Sequence, residues 1–163
     1  MKEIIISGTG TGKSTKCFEV AKAYNGTVVY LNGVPRAETL YARFGRTIPD
    51  DFIVRHFGEI FCIENNKKYF ISPASREGKV VFDFNDMENN YFKNIDTDLL
   101  LIIDDNFWCN YCDDKATSLK VLTSSKRDII LTMDHINTLL EGKLTQETIS
   151  EIIACWNSTV KFK

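Results

Sequence analysis

One segment of the sequence has residue types and spacing suited to binding a phosphate. Three glycines at alternate positions precede a lysine and two hydroxyl residues in Ser7-Gly8-Thr9-Gly10-Thr11-Gly12-Lys13-Ser14-Thr15. Glycine lets backbone N–H groups converge on phosphate oxygens in conformations that other residues rarely adopt. Lys13 adds a compact positive charge for the β- and γ-phosphates, and Ser14 adds a hydroxyl that can ligate Mg²⁺. The segment therefore predicts a nucleotide-phosphate site.

This segment fits the pattern G-x-x-x-x-G-K-[S/T] at each fixed position except the first, where Ser7 stands in place of glycine. Its surroundings also fit, because the apolar residues 4–6 predict a short strand before it and the spacing of residues 17–24 predicts an amphipathic helix after it. We expect the loop and the start of this helix to bind the phosphates through Gly8, Thr9, Gly10, Thr11, Gly12, Lys13, Ser14 and Thr15.

Two carboxylates follow a second apolar run. Residues 99–103 are all aliphatic, which is typical of a central strand that is buried on both faces, and Asp104 and Asp105 come directly after it. Ligands of parallel sheets bind at the carboxyl ends of the strands. We predict that Asp104 holds Mg²⁺ and that Asp105 polarises an attacking water. The alternative for Asp105 is that it only begins a turn with Asn106.

The elements that position these residues alternate between strand and helix. Strand, helix and strand within the first 31 residues make a βαβ unit, which implies a parallel sheet covered by helices, and the alternation resumes after residue 99. Between them, two apolar runs at 60–63 and 69–71 flank a polar turn and predict a β-hairpin. We therefore predict an α/β fold, a three-layer sandwich with a mostly parallel central sheet, in a single domain of residues 1–163 with a small antiparallel insert at about 51–84.

The order of these motifs resembles that of P-loop NTPases of the additional-strand (ASCE) type. The C-terminal third is similar in its order of elements to the FtsK/HerA-like translocases, which include viral DNA-packaging ATPases. Asp105 stands where such proteins usually carry a catalytic Glu. The resemblance implies an enzyme, a P-loop ATPase that uses ATP and Mg²⁺ to translocate or package double-stranded DNA as a homo-oligomeric ring. It also implies a virus-encoded protein in the host cytoplasm.

The same resemblance suggests three further site residues. Thr132 and Asp134 end a second buried strand, where such ATPases carry a polar group that senses the γ-phosphate, although Asp134 stands where Gln is expected. Arg127 is then the candidate arginine finger, which acts on a neighbouring subunit of the ring. Lys13 and Asp105 are the other predicted catalytic residues. The alternatives are that Asp134 caps the next helix and that Arg127 lies in a solvated loop.

Composition narrows the class of protein. Twenty basic and 22 acidic residues give a net charge of -2, which argues against a strongly basic nucleic-acid module, although Arg36, Arg43 and Arg46 form a local basic cluster. The longest aliphatic run has five residues, far below the roughly 20 needed to cross a bilayer. Five scattered cysteines and the absence of a signal peptide predict a cytoplasmic protein without a disulfide framework or a membrane partner.

Three alternatives stay open. A small-molecule kinase of the nucleoside or nucleotide type suits the acidic charge, yet no arginine follows Arg127 to supply a lid. A nucleotide-dependent switch or adaptor with weak hydrolysis would suit an Asp at position 105. The pair Cys109 and Cys112 after Trp108 resembles the W-C-x-x-C site of thioredoxins, but all three prolines precede it, so a structural pair or a metal site is the alternative.

Overall fold

In the computed structural model, which describes residues 1–8, 10, 12–58, 63–77, 81–95 and 98–161, strands and helices alternate along the chain. The helix α3 continues into a π-helical turn, Met87–Tyr91, and a 3-10 turn, Ile136–Thr138, follows β6. The elements are β1 (Lys2–Ser7), α1 (Lys13–Ala23), β2 (Thr27–Leu31), α2 (Ala37–Arg43), β3 (Ile53–Phe57), β4 (Lys68–Pro73), α3 (Phe84–Asp86), β5 (Leu99–Ile103), α4 (Asp105–Tyr111), α5 (Lys115–Ser124), β6 (Asp128–Met133), α6 (Gln146–Cys155) and β7 (Asn157–Lys161).

The strands form one sheet in the order β3-β4-β2-β5-β6-β1-β7. Each pairing between neighbours is parallel, so all the strands end at the same edge of the sheet. We call this the carboxyl edge and the opposite one the amino edge. The strand β6 lies between β1 and β5, with Ile5 opposite Thr132 and Ile102 opposite Ile130. Residues 7–15, which we call the phosphate-binding segment after their predicted role, begin at the end of β1, and Asp104 and Asp105 follow β5. The segment and these two acids therefore lie on either side of the end of β6.

Two hydrophobic cores, one on each face of the sheet, make the fold a three-layer sandwich. On one face α1 and α2 pack through Cys17, Ala21 and Ala37 against alternate residues of the central strands. On the other face α3, α4 and α5 contribute side chains that include Trp108 and Leu122. Since both faces are covered, every residue of β2 and β5 is buried. The predicted α/β sandwich is confirmed.

The region between 51 and 84 departs from the prediction of an antiparallel insert. The strands β3 and β4 are parallel to each other, and β4 is also parallel to β2. Residues 69–71 are buried on both faces, so they suit the interior of the sheet better than an exposed hairpin. Residues 60–62 of the predicted partner strand lie outside the described residues.

Among the described residues, no helix is long and apolar enough to span a bilayer.

Candidate functional site

The phosphate-binding segment joins β1 to α1 at the carboxyl edge. Its backbone requires glycine at two described positions, because Gly10 and Gly12 have φ values of 78° and 86°. A Cβ at Gly12 would meet no atom within 4 Å, so conformation and not space demands glycine there. Gly12 is the N-cap residue of α1 and has no side chain to cap the helix, which leaves the first N–H groups of the helix available to a ligand. Thr9 and Thr11 lie outside the described residues, and Thr15 is exposed.

Lys13 is held at the centre of this edge. Its ammonium donates to the carbonyl oxygens of Ser7 (2.7 Å) and Gly8 (3.1 Å) and to Oδ1 of Asp134 (2.6 Å). The side chain of Lys13 is 11% exposed and that of Asp134 is 32% exposed, so water screens this ion pair only in part. The lysine predicted to bind phosphate thus already binds a carboxylate from the neighbouring strand.

Asp134 also connects Lys13 to Asp105. Burial raises the pKa of Asp105 to about 6, and a hydrogen bond to Asp134 and the negative charge of that residue contribute to the rise. Burial also acts to raise the pKa of Asp134, but the hydrogen bond with Asp105 and the Lys13 ammonium outweigh it and lower the pKa. A proton bound between the two carboxyl groups therefore resides on Asp105 and is lost as the pH rises above about 6. Lys13, Asp134 and Asp105, which come from three separate parts of the sequence, lie together in the structure.

Asp104 is the most buried acid of the site. Its residue is 5% exposed, and Oδ1 accepts from the N–H groups of Phe107 (2.8 Å) and Gly33 (3.2 Å). Burial raises its pKa to about 7, although those two hydrogen bonds oppose the shift. Asp104 caps α4 through its bond to Phe107, so it fixes the direction in which the chain leaves β5. A carboxylate that is costly to ionise is well placed to receive a cation.

Ser14 lies among the hydroxyl groups of two tyrosines. Tyr30 in β2 and Tyr41 in α2 both form hydrogen bonds with the Ser14 side chain, and the Asn32 amide donates to the Tyr41 hydroxyl at 3.3 Å. Burial is the largest cause of the raised pKa of both tyrosines, and the negative charge of Asp104 raises it further. Ser14 and Asp104 therefore face one polar pocket. Sequence analysis did not identify Tyr30, Tyr41 or Asn32, since tyrosines in apolar stretches indicate only core packing.

Gly33 is a further site residue that sequence analysis missed. A Cβ on Gly33 would lie 2.3 Å from the carbonyl carbon of Asn106 and 2.3 Å from the Phe107 nitrogen, so only glycine lets the end of β2 approach the start of α4. This close approach allows the Gly33 N–H to reach Asp104. The only signal in the sequence was a glycine two residues after the end of a predicted strand.

Two other predicted site residues lie in β6 or directly before it. Thr132 is buried within β6, in register with Ile5 of β1. Arg127 lies at the amino edge, where its guanidinium donates to the carbonyl oxygens of Phe92 (2.7 Å) and Ile95 (3.0 Å) and pairs with Glu88 at 3.5 Å. The guanidinium also lies over the Phe92 ring, and the side chain is 11% exposed. These contacts connect β6 to the segment after α3 and account for an arginine at this position without a catalytic role.

The cysteine pair lacks the properties of a redox site. Cys109 and Cys112 are free thiols, and burial raises the pKa of Cys109 and brings that of Cys112 to about 12. A reactive thiol needs the opposite shift. No group of three or more His, Cys, Asp or Glu side chains in the described part of the chain is arranged to hold a metal ion.

Ser14 and Asp104 nevertheless fit Mg²⁺. This ion prefers oxygen ligands and is usually held by one or two protein groups together with phosphates and water, so it needs no cluster of three acids. A cation would also offset the burial that raises the pKa of Asp104. The donor set therefore suits a divalent ion that arrives with a nucleotide.

Comparisons with known proteins support the fold. No protein-family model matches the chain, and no curated protein matches it. Among solved structures it is similar to the Hef helicase domain of Pyrococcus furiosus, with a TM-score of 0.51 and 17% identity. The alignment covers 98% of this chain and 35% of that one, so the chain spans about a third of the length of its structural neighbour. The chain therefore has an α/β fold that is P-loop NTPase-like.

Proposed function

We propose that this protein binds ATP with Mg²⁺ at the carboxyl edge and hydrolyses it, and that the hydrolysis drives work on DNA. One observation carries the proposal: Lys13, from the phosphate-binding segment, pairs with Asp134 after β6, and Asp134 is in turn hydrogen-bonded to Asp105 at the start of α4. A structural lysine would need only one of these partners. A lysine beside two acids, one of them with a raised pKa, is typical of a site for phosphate chemistry.

Nucleotide binding would replace Asp134 as the partner of Lys13. The ammonium keeps its two bonds to the carbonyls of Ser7 and Gly8, so it stays in place while the phosphate takes over its third donor position. Ser14 and Asp104 are the residues that would hold Mg²⁺, which offsets the phosphate charge when bound. Without that cation, three carboxylates close to the phosphate would oppose binding.

Asp105 is the proposed general base. A pKa of about 6 leaves it mostly ionised at pH 7 and yet much more basic than an ordinary aspartate. Such a value near the working pH favours proton abstraction from an attacking water. When Asp105 carries a proton, its hydrogen bond to Asp134 orients the Asp105 carboxyl group, so we assign Asp134 a positioning role, and release of Lys13 would alter that bond.

The place of β6 supports the additional-strand type of ATPase within this fold. In that type a strand beside the acidic strand carries the group that senses the γ-phosphate, and here β6 lies between β1 and β5 and ends at Asp134. The likeness to a helicase domain is compatible with translocation or packaging of double-stranded DNA, the form of work that we propose, by a ring of copies. We do not propose Arg127 as an arginine finger, because its guanidinium donates to carbonyl oxygens of its own chain.

A switch with weak hydrolysis is the second candidate, favoured by the ion pair between Lys13 and Asp134. That pair engages the ammonium that is proposed to bind phosphate, so nucleotide binding must break it. Such an exchange of partners would signal occupancy even if turnover were slow.

ATP hydrolysis by the purified chain with Mg²⁺, with and without double-stranded DNA, tests the proposal. Lys13→Ala should lower turnover by roughly 100-fold or more, because it removes the charge aimed at the phosphates. Lys16→Ala is the matched control, since Lys16 lies one turn along α1 and pairs with Glu3 at 3.0 Å, away from the site. It should keep turnover within about twofold.

Three results would separate the candidates. Turnover that rises several-fold with DNA and is lost in Lys13→Ala supports a DNA-dependent ATPase. Tight ATP binding with negligible turnover, with or without DNA, supports the switch. Equal turnover in Lys13→Ala and Lys16→Ala would contradict a nucleotide site at the carboxyl edge.

A further inference from the structure

Residues 135–141, which follow Asp134, lie beside α4 from the site to the far end of that helix. We call these residues the strap. They contain the 3-10 turn, and Leu139 among them is buried in the same core as Trp108 of α4. Asp134 is hydrogen-bonded to Asp105, the first residue of α4. The strap and α4 therefore each start at one of the two acids.

Trp108 connects the middle of the strap to α4. Its indole Nε1–H donates to the Leu139 carbonyl oxygen at 3.0 Å, and both residues are buried. The adjacent Cys109 thiol forms a hydrogen bond with the Thr138 side chain. The bond from the indole fixes the strap backbone, because neither of its two groups has water within reach as an alternative partner.

Lys115 connects the end of the strap to the end of α4. Its ammonium donates to Glu141 Oε1 at 2.9 Å and to the Cys112 carbonyl oxygen at 3.1 Å, and the Cys109 carbonyl oxygen lies at 3.5 Å. The Lys115 side chain is 7% exposed. An ammonium has three N–H donors, and these three acceptors satisfy them only while the strap is in place. A nearly buried charge that lost one of these partners would be costly to the fold.

The backbone of the strap ends in an unusual conformation. Glu141 has a φ of 56°, in the left-handed region that residues other than glycine rarely adopt. Gly142 follows with a φ of 76°, and its N–H donates to the Asn137 carbonyl oxygen at 2.6 Å. Glycine would suit position 141 better on conformation alone. The ion pair with Lys115 accounts for a glutamate there.

We propose that Trp108, Lys115 and Glu141 are positioning residues for ATP hydrolysis. By holding the strap against α4, they set where Asp134 lies relative to Asp105. A displacement of about 1 Å at a catalytic group can cost about 100-fold in rate, so contacts remote from the nucleotide can control turnover. This inference rests on the proposed function, because it concerns the orientation of the acids that act on ATP.

The same contacts explain the motif that resembles a thioredoxin site. Within residues 108–112, the tryptophan binds the strap through its indole, and both cysteines present their carbonyl oxygens to Lys115. The motif therefore fits a helix that holds the strap, and its two thiols need no redox role.

A matched pair of tryptophan variants tests the inference. Trp108→Phe keeps most of the ring but removes the N–H that holds the strap. Trp156→Phe removes the same kind of bond elsewhere, since Trp156 is buried and donates to Thr123 Oγ1 at 2.9 Å. In hydrolysis assays of the full chain with Mg²⁺ and saturating ATP, Trp108→Phe should lower kcat about tenfold and Trp156→Phe should keep it within about twofold. ATP affinity, measured by calorimetry, should change less than about twofold in both variants, because neither indole belongs to the phosphate-binding segment.

Variants of Glu141 test the ion pair at the end of the strap. Glu141→Ala should lower kcat about fivefold, whereas Glu141→Gln should lower it no more than about twofold, because the amide oxygen still accepts from the ammonium. Glu151→Ala, at an exposed position of α6, is the control and should leave kcat unchanged. In a chain that already carries Lys115→Met, Glu141→Ala should have no further effect on kcat, because its partner is absent.

Glu141→Gly separates the position of the strap from the stability of the fold. Glycine adopts left-handed backbone freely, so this variant should resist urea better than Glu141→Ala. Its kcat should nevertheless fall as much as in Glu141→Ala, since both variants lose the bond to Lys115. A merely structural role would instead make kcat follow stability.

Each outcome decides the question. Lower kcat in Trp108→Phe and Glu141→Ala, with unchanged ATP affinity and intact controls, supports the inference. Equal kcat in Trp108→Phe and Trp156→Phe, or an ATP affinity that falls in parallel with kcat, would overturn the inference and leave the proposed function in place. Absence of hydrolysis in the wild-type chain would overturn the proposed function and the inference with it, because there would be no reaction for these residues to serve.

Discussion

Charged groups at the two edges of the sheet differ in how far neighbouring groups compensate their charges. At the amino edge, Asp128 binds the Met1 amine at 2.6 Å and the Tyr24 hydroxyl at 2.9 Å, while Lys68 donates to the carbonyls of Ala21 (2.6 Å) and Tyr24 (2.8 Å). Arg127 likewise meets two carbonyls and Glu88. Each of these charges has partners of opposite charge or polarity. These contacts connect strands and helices and serve stability.

At the carboxyl edge the acids outnumber the cations. Asp134 pairs with Lys13, Asp105 is hydrogen-bonded to Asp134, and the charges of both acids act on Asp104. Burial raises the pKa of Asp104 to about 7 and that of Asp105 to about 6. A raised carboxyl pKa means that the ionised form is costly in the folded protein. The fold therefore gives up stability at the carboxyl edge, where Asp104 and Asp105 are costly to ionise, whereas Arg127 and Asp128 at the amino edge each have several partners, and substitutions at the two edges should differ accordingly.

The largest effect is expected for Asp105→Asn. Asparagine keeps a donor for Asp134 but cannot accept a proton, so turnover of ATP should fall roughly 100-fold while ATP binding persists. Steady-state hydrolysis and nucleotide binding by calorimetry measure the two quantities. Asp113→Asn, at an exposed position beyond α4, is the control. Unchanged turnover in Asp105→Asn would remove the general base from the mechanism.

Asp104→Asn should lower hydrolysis and yet stabilise the fold above pH 7. The folded protein keeps a proton on Asp104 that the unfolded chain releases, so between the ordinary pKa of 3.8 and about 7 the free energy of unfolding falls as pH rises. Three pKa units correspond to about 4 kcal/mol as an upper value, and asparagine removes this loss while keeping the cap. Urea unfolding in EDTA at pH 5 and pH 8 measures it.

For that variant the gain should be largest at pH 8 and less than half as large at pH 5, because only about 1.2 of the roughly three pKa units lie below pH 5. The exposed cap Asp114 of α5, whose pKa is lowered by its bonds to Thr117, is the counter-example, and Asp114→Asn should bring no gain at pH 8. Equal effects of Asp104→Asn at both pH values would mean that burial of the charge does not cost stability.

Arg127→Ala should lower the free energy of unfolding by about 3 kcal/mol, since it removes two charge-assisted hydrogen bonds from a nearly buried guanidinium. Turnover per folded molecule should stay within about twofold. Urea unfolding and hydrolysis at a temperature where the variant is folded measure the two effects. A loss of turnover without a loss of stability would restore the arginine-finger interpretation and place a function at the amino edge.

The smallest effect is expected for Tyr24→Phe, which removes one hydrogen bond to Asp128 at a partly exposed position. The loss should be about 1 kcal/mol, because Asp128 keeps the Met1 amine as a partner. Urea unfolding gives the value, and hydrolysis should not change. A change in turnover would show that the two edges are coupled through the sheet.

Much of this protein could be predicted from local sequence. The apolar run before Asp104 determines a buried strand because five aliphatic residues in succession suit only an interior covered on both faces. The glycines before Lys13 determine a loop with left-handed backbone, and Gly10 and Gly12 adopt it. A phosphate site could be predicted because the residues of its motif are contiguous in the sequence. Asp104 and Asp105 could be predicted as site residues because they directly follow a strand.

Only the tertiary structure decided which of these residues meet. That β3 and β4 are parallel depends on which neighbours they find in the sheet, and an apolar run has no direction of its own. Arg127 and Asp134 lie at opposite ends of one strand, so one serves packing and the other meets Lys13, although both resembled site residues in sequence. The pKa values of Asp104 and Asp105 depend on burial by distant segments, and Gly33 matters because α4 packs directly against it. Local sequence determines conformation, whereas burial and charge pairing arise from contacts between residues far apart in the chain.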